Sequence, residues 1–215
     1  MRTFREIGET LTDKVSHHRY DRFYPMFLEG MRNREFNMLE IGIDKGGSMM
    51  LWKEYFPKAN IFGADINSEW SDERCVIRKC DQSNLDSLRE LVSNTPKCQL
   101  IVDDGSHQPY HQFITFIELF HNLLDYGGIY IVEDIECNFW SPERKIYGYK
   151  AGKFSFFNFL KSIPEQINSE FSGRQNLFNA SSITFAHNCV IVVKKTEEEI
   201  AFTNREYRFK ECLSY

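Results

Sequence analysis

The chain has 215 residues, a length that suits one domain around a single sizeable core. It is 42% hydrophobic and 27% charged with a net charge of −5, and no basic run offers the positive face that a nucleic-acid partner requires. The N-terminal "MRTFREIGETLTDK" mixes charges where a secretory leader is apolar, and no apolar run reaches the ~18 residues of a membrane span, so a cytoplasmic protein is expected.

Residues 1–36 read as a helical cap ahead of the first strand. "NMLEIGI" (37–43) is a short buried strand, followed by a helix over 47–56 with Met49, Leu51, Trp52 and Phe56 as its apolar positions. "IFGADI" (61–66) and "CVIRKCD" (75–81) are further strands, and Asn84 is a good cap for a helix over 84–94. "QLIVDD" (99–104) is the fourth strand. A helix over 110–124 places Phe113, Phe116, Ile117, Phe120 and Leu124 on one face, and "GGIYIVED" (127–134) is the fifth strand. A helix or helical pair is expected over 153–171, interrupted near Pro164, and then a hairpin over 181–195 about "AHN".

Continuous apolar strands separated by helices predict a parallel sheet covered on both faces, joined by right-handed crossovers. The fold class is therefore α/β: a Rossmann-like, doubly wound, mostly parallel sheet with a C-terminal antiparallel hairpin and an N-terminal helical cap. One domain is expected, with a cap (1–36), a core (37–195) and a tail (196–215). Cys75, Cys80, Cys98, Cys137, Cys189 and Cys212 show no C-x-x-C pairing, which points to reduced thiols and away from a zinc site.

Two strands end in acid pairs, Asp103-Asp104 and Glu133-Asp134. Adjacent acids repel, so this pattern suggests one shared site. "LEIGIDKGGS" (39–48) joins the first strand to its helix through Gly42, Gly46 and Gly47, which allow a ligand to approach the backbone at the helix N-terminus. It is not the G-x-G-x-x-G of dinucleotide folds, and Glu40 suits a cationic ligand better than a pyrophosphate. Asp65 ends the second strand, where a carboxylate either binds a ribose or caps a loop. Asp81 and Gln82 end the third strand, where an adenine would lie.

The E-x-G-x-x-x-G turn and the acid closing strand two resemble the class I S-adenosylmethionine (SAM)-dependent methyltransferases. Within that fold, "LEIGIDKGGSMMLW", "IVDDGSH", "IVEDIE" with "NFW", and the lead-in "TDKVSHHRYDRFY" (12–24) resemble the metal-dependent sugar O-methyltransferases of macrolide tailoring (the mycinamicin type). This resemblance implies SAM binding by Glu40, Gly42, Gly46, Ser48, Asp65, Asp81, Gln82 and Asp103. It makes Asp104, Glu133 and Asp134 ligands of Mg²⁺, with Mn²⁺ as a substitute, and His107 the general base. His18, Tyr20, Tyr24 and Trp140 are implied on the substrate side, and a homo-oligomer by analogy.

The chemistry stands without the family: a sugar hydroxyl is a poor nucleophile, and a hard cation among carboxylates lowers its pKa. Asp103 has three open roles: facing SAM, orienting His107, or lying behind the metal ligands. His111 is either a site residue or a plain helical side chain. The acceptor is expected to be a sugar or glycoside; the alternatives are a catechol-like or other vicinal diol, or a non-catalytic SAM-fold partner subunit.

Overall fold

In the computed structural model, which describes residues 1–203, the chain opens with three short helices, α1 (Phe4–Gly8), α2 (Asp13–Ser16) and α3 (Tyr24–Leu28). Thr3 and Glu6 form a capping box at α1, and the Thr12 side chain caps α2. Helices of this length do not hold themselves together in water. Aromatic packing does it instead: Phe4 lies against Tyr24, Trp52 and Tyr55, and Tyr24 stacks between Tyr20 and Trp52.

The core follows as β1 (Asn37–Ile41), α4 (Gly47–Tyr55), β2 (Asn60–Asp65), a two-residue β3 (Trp70–Ser71), β4 (Cys75–Lys79), α5 (Leu85–Ser93), β5 (Cys98–Asp103), α6 (Pro109–Asn122) and β6 (Leu124–Glu133). A small hairpin, β7 (Lys145–Ile146) and β8 (Tyr149–Lys150), comes next, then α7 (Phe156–Leu160), α8 (Ile163–Ile167) and α9 (Ser169–Ser172). β9 (Ala180–Ala186), β10 (Cys189–Lys194) and α10 (Glu197–Thr203) complete it. Residues 204–215, which include Cys212 and most of the expected tail, lie outside the described residues. The other five cysteines are free and buried.

The main sheet runs β3-β4-β2-β1-β5-β6-β10-β9, with β4, β2, β1, β5 and β6 parallel and the β9–β10 hairpin antiparallel at one edge. The strand order reverses at β1, between β2 and β5, which is the switch point where open α/β sheets bind ligands. Side chains alternate between two cores. Met38, Leu100, Val102, Ile129 and Ile131 pack under the cap and α4, whereas Leu39, Ile101, Tyr130 and Val132 pack under α5 and α6.

That alternation also sorts the acids. Continuing the first set places Glu40, Asp104 and Glu133 on the cap side; Asp103, one residue off, falls on the other. Two expectations change in detail. The 153–171 segment is three short helices, with Pro164 in the first turn of α8, where its missing N–H costs nothing. Leu124 opens β6 and is not part of α6, which ends at Asn122. The β7–β8 hairpin was not visible as a strand pattern because each strand has only two residues. Its Tyr147-Gly148 turn has φ of 46° and 91°, the left-handed pair of a tight hairpin.

Candidate functional site

A cavity of about 900 Å³ opens at the C-terminal ends of β1, β2, β4 and β5, within the ~300–1,000 Å³ of typical small-ligand pockets. One wall is the glycine turn. Gly42, at φ 87°, lies against the Asp104 backbone so closely that a Cβ there would meet the Asp104 carbonyl oxygen at 2.1 Å. Gly46, at φ 80°, caps α4 with open space around it. Gly47 and Ser48 line the cavity.

Asp65 also lines it, with both carboxylate oxygens engaged by the chain. Oδ2 accepts from the Ile43 and Asp44 N–H, and Oδ1 from those of Asn67 and Ser68. Burial pushes this carboxyl up, but the four N–H donors outweigh it and hold the group below the usual range. Asp81 and Ser83 lie further along the same wall, with Asp81 Oδ1 accepting from the Ser83 N–H and hydroxyl. Gln82 bridges two turns: its amide donates to Asp103 Oδ1 at 2.6 Å and accepts from Ser106 N–H at 2.8 Å. Asp103 is fully buried on the α5–α6 side, and burial pushes its carboxyl up to about 7 against the lowering effect of Gln82.

The opposite wall carries Asp104, His107, His111 and Asp134, with Tyr147 and Tyr149 of the β7–β8 hairpin. Four cavity-lining residues other than glycine, Asp44, His107, Asp134 and Tyr147, have positive φ, strain of the kind that gathers at functional sites. The His107 Nε2 lies 3.6 Å from Asp134 Oδ2, and the Tyr147 ring centre 5.6 Å from that of His107. His111 pairs its Nδ1 with Ser106 Oγ at 2.9 Å, and burial holds it below the usual histidine range.

Asp134 is fixed from behind. Its Oδ1 accepts from Tyr20 Oη at 2.9 Å and from Asn188 Nδ2 at 2.8 Å, and His18 Nδ1 is 3.3 Å away. Asn188 is the turn residue of the β9–β10 hairpin. Glu133 points to the cap side and does not line the cavity. Its Oε1 accepts from Tyr24 Oη at 2.5 Å and its Oε2 from Lys14 Nζ at 2.8 Å. Glu40 is likewise enclosed, with Oε2 on Trp52 Nε1 at 2.9 Å and Oε1 3.0 Å from Lys14 Nζ.

The predicted residues therefore separate into layers. Gly42, Ser48, Asp65, Asp81, Gln82, Asp104, His107 and Asp134 share the cavity; Gly46 sits at its rim as the cap of α4. Glu40, Glu133, Tyr20 and Tyr24 stand behind it, and His18 stacks on Tyr20. Trp140 is elsewhere, packed with Cys137, Ile146 and Ala151, with the Arg144 guanidinium 3.4 Å above its ring. Lys14, Asn188, Tyr147 and Tyr149 are residues that motif reading passed over. Lys14 and Asn188 lay inside quoted stretches, and Lys14 Nζ also reaches Asp104 Oδ2 at 2.5 Å.

Asp104, His107 and Asp134 each offer one ligand atom within 4.8 Å of the others. The two carboxylates are hard oxygen donors suited to Mg²⁺ or Mn²⁺, with a softer imidazole beside them. The glycine turn and cavity volume likewise fit a ligand of nucleoside size.

The comparisons take this geometry further. No protein-family model matches the chain. Among solved structures, MycE, a methyltransferase from the mycinamycin biosynthetic pathway, in complex with Mg, S-adenosylhomocysteine (SAH) and mycinamycin VI, superposes with a TM-score of 0.77 at 25% identity. The match covers 92% of this chain and 56% of that one. The same protein with Mg and SAH gives 0.79 at 24% identity, over 91% and 54%. The chain thus has the class I methyltransferase fold, as its motifs led us to expect.

Its sequence similarity narrows the resemblance to sugar O-methyltransferases of glycosylated natural products. It is 33% identical over 145 residues to the 8-demethyl-8-alpha-L-rhamnosyl tetracenomycin-C 2'-O-methyltransferase of Streptomyces olivaceus, a match to 63% of this chain and 38% of the relative. It is 30% identical over 132 residues to the mycinamicin VI 2''-O-methyltransferase of Micromonospora griseorubida, over 57% and 33%. The chain matches well under half the length of these curated relatives.

Proposed function

We propose that the chain is a SAM- and divalent-metal-dependent O-methyltransferase that methylates a sugar hydroxyl of a glycan, glycolipid or glycosylated natural product. One observation carries the reading: a glycine turn at a helix N-terminus and the carboxylates of Asp104 and Asp134, with His107 beside them, face each other across one cavity. The relatives named above act on glycosylated acceptors, which supports the substrate class.

Gly42, Ser48 and the loop that Asp65 organises would hold the cofactor, with Asp81 and Gln82 toward its adenine. Asp104 and Asp134 reach the cavity as metal ligands. Glu133 would join them only by giving up Tyr24 or Lys14. Bound there, the cation would lower the pKa of an acceptor hydroxyl, and SAM would supply the methyl group. His107, beside Asp134, accepts the hydroxyl proton. Tyr20 and Asn188 keep the Asp134 carboxylate turned toward His107. The exposed ring of Tyr147 offers a surface for the apolar face of a sugar next to that base.

The test is a methyl-transfer assay with labelled SAM and Mg²⁺ on rhamnosides, other deoxyglycosides, nucleotide sugars and catechols. Transfer to a glycoside that stops on chelation and returns with Mg²⁺ is expected. Undiminished transfer after exhaustive chelation sinks the metal reading, and transfer to catechols alone sinks the sugar.

A further inference from the structure

Gln108 follows His107 directly, is buried, and uses both ends of its side-chain amide. Its Oε1 accepts from the His111 N–H at 2.8 Å and so caps α6. Its Nε2 donates to the Lys150 carbonyl at 3.2 Å and the Ala151 carbonyl at 3.4 Å, where the β7–β8 hairpin ends. A helix cap needs only an acceptor, which Ser, Asp or Asn supplies from a shorter side chain. Capping therefore accounts for one end of the amide and leaves the other, the tie to the hairpin, without a reason.

The hairpin is otherwise lightly held. Its strands have two residues each, and its base rests on the small cluster of Cys137, Ile146 and Ala151 with Trp140. Its turn carries Tyr147, 75% exposed, at the cavity, with the ring centre 5.6 Å from that of His107. His107 stands at φ 55°, and its Nδ1 is buried with no hydrogen-bond partner among the described residues. No hydrogen bond on its second nitrogen aims the imidazole. A strained backbone turn carries it and the Tyr147 ring flanks it, and Gln108 joins the two.

We infer that Gln108 is a positioning residue for the acceptor: it ties the β7–β8 hairpin to the turn that carries His107, so that Tyr147 is held beside the proton acceptor and selects glycosides that present an apolar sugar face there. Gln108 does not itself line the cavity and acts through Tyr147. A ring already held in place loses little freedom when the acceptor arrives, whereas an untied hairpin must be ordered at each binding event. The inference rests on the reading of the chain as a sugar O-methyltransferase.

Gln108→Ser keeps a cap on α6 and removes the tie. In the protein without ligands, amide hydrogen exchange over residues 144–152 is expected to quicken by about 3–10-fold while that of α6 is unchanged. With a phenyl rhamnoside at saturating SAM and Mg²⁺, the acceptor KM is expected to rise by about the same factor, with kcat nearly constant. Tyr147→Asn removes the ring and leaves an Asn-Gly turn of the kind tight hairpins prefer; it should raise KM further, and adding Gln108→Ser to it should then change KM no more. Additive effects in the double variant, or unchanged exchange over 144–152 in a folded Gln108→Ser protein, overturn the inference. Gln108→Asn, which caps but is one methylene too short for the tie, covers a serine variant that does not fold. A wild-type chain that methylates no glycoside refutes the function reading, and the part of Gln108 in acceptor selection with it, whereas the exchange result tests the tie by itself.

Discussion

Glu133 and Asp134 are neighbours in sequence, yet they belong to different worlds. Glu133 is 1% exposed, with a tyrosine on one oxygen and a lysine on the other. Asp134 turns through a left-handed backbone, at φ 51°, into the cavity, and leaves one oxygen facing a histidine. The same split divides Glu40 from Asp104. The enclosed half of the cluster is satisfied by the protein and acts as framework. The open half keeps valence unspent, and only such groups can bind a ligand that is not already part of the chain.

The contrast is broken most severely at Asp104, the residue common to both halves. Asp104→Ala is expected to lower turnover by about 10³-fold or more, because it removes a cation ligand and an anchor of Lys14 together. Mn²⁺ affinity should fall in parallel; a variant with normal metal affinity and normal rate would remove Asp104 from the site.

His107 lies wholly in the open half, so its loss should touch chemistry alone. His107→Ala is expected to slow the chemical step by ~10²-fold or more while Mn²⁺ and SAM affinities stay within a factor of a few. If single-turnover rates are unchanged at saturating metal and acceptor, the base is another group.

The smallest effect is expected at Asp103, enclosed on the far side of the sheet. Its carboxyl is raised from 3.8 to about 7, chiefly by burial. Between those values the folded state holds a proton that the unfolded chain releases. The stability this gives is full below about pH 3.8 and is lost as pH rises to about 7. Asp103→Asn should therefore flatten the fall in stability across that window. Denaturant unfolding at several pH values measures it, and parallel curves for the two proteins would contradict the assignment.

Much of this was readable in advance, and for physical reasons. Five parallel strands announced themselves because burial on both faces leaves uninterrupted apolar runs, and Asn84 caps α5 as its side chain requires. The acid pairs were legible because strand ends rarely choose adjacent like charges. Which acid of each pair faces the cavity was not, since that depends on register and on the left-handed turn at Asp134. Lys14 was hidden for a different reason: nothing in "TDKV" distinguishes a solvated lysine from one folded against residues 90 and 119 positions away. Tyr147 escaped because a hairpin of two-residue strands has no periodicity.

The link from Lys14 to Glu133 spans 119 positions of the chain, and that from Tyr20 to the Asn188 carbonyl spans 168. Contacts of such separation form late in folding, after loop-closure entropy has been overcome. A chain that has assembled its sheet but not yet docked its first helices would carry a naked nest of carboxylates, open to any passing divalent ion. Docking would then act as a proofreading step that replaces a borrowed cation with the chain's own. Stopped-flow refolding with a fluorescent Mn²⁺ indicator would record this as uptake followed by partial release. A monotonic uptake trace would mean that the lysine arrives with the sheet.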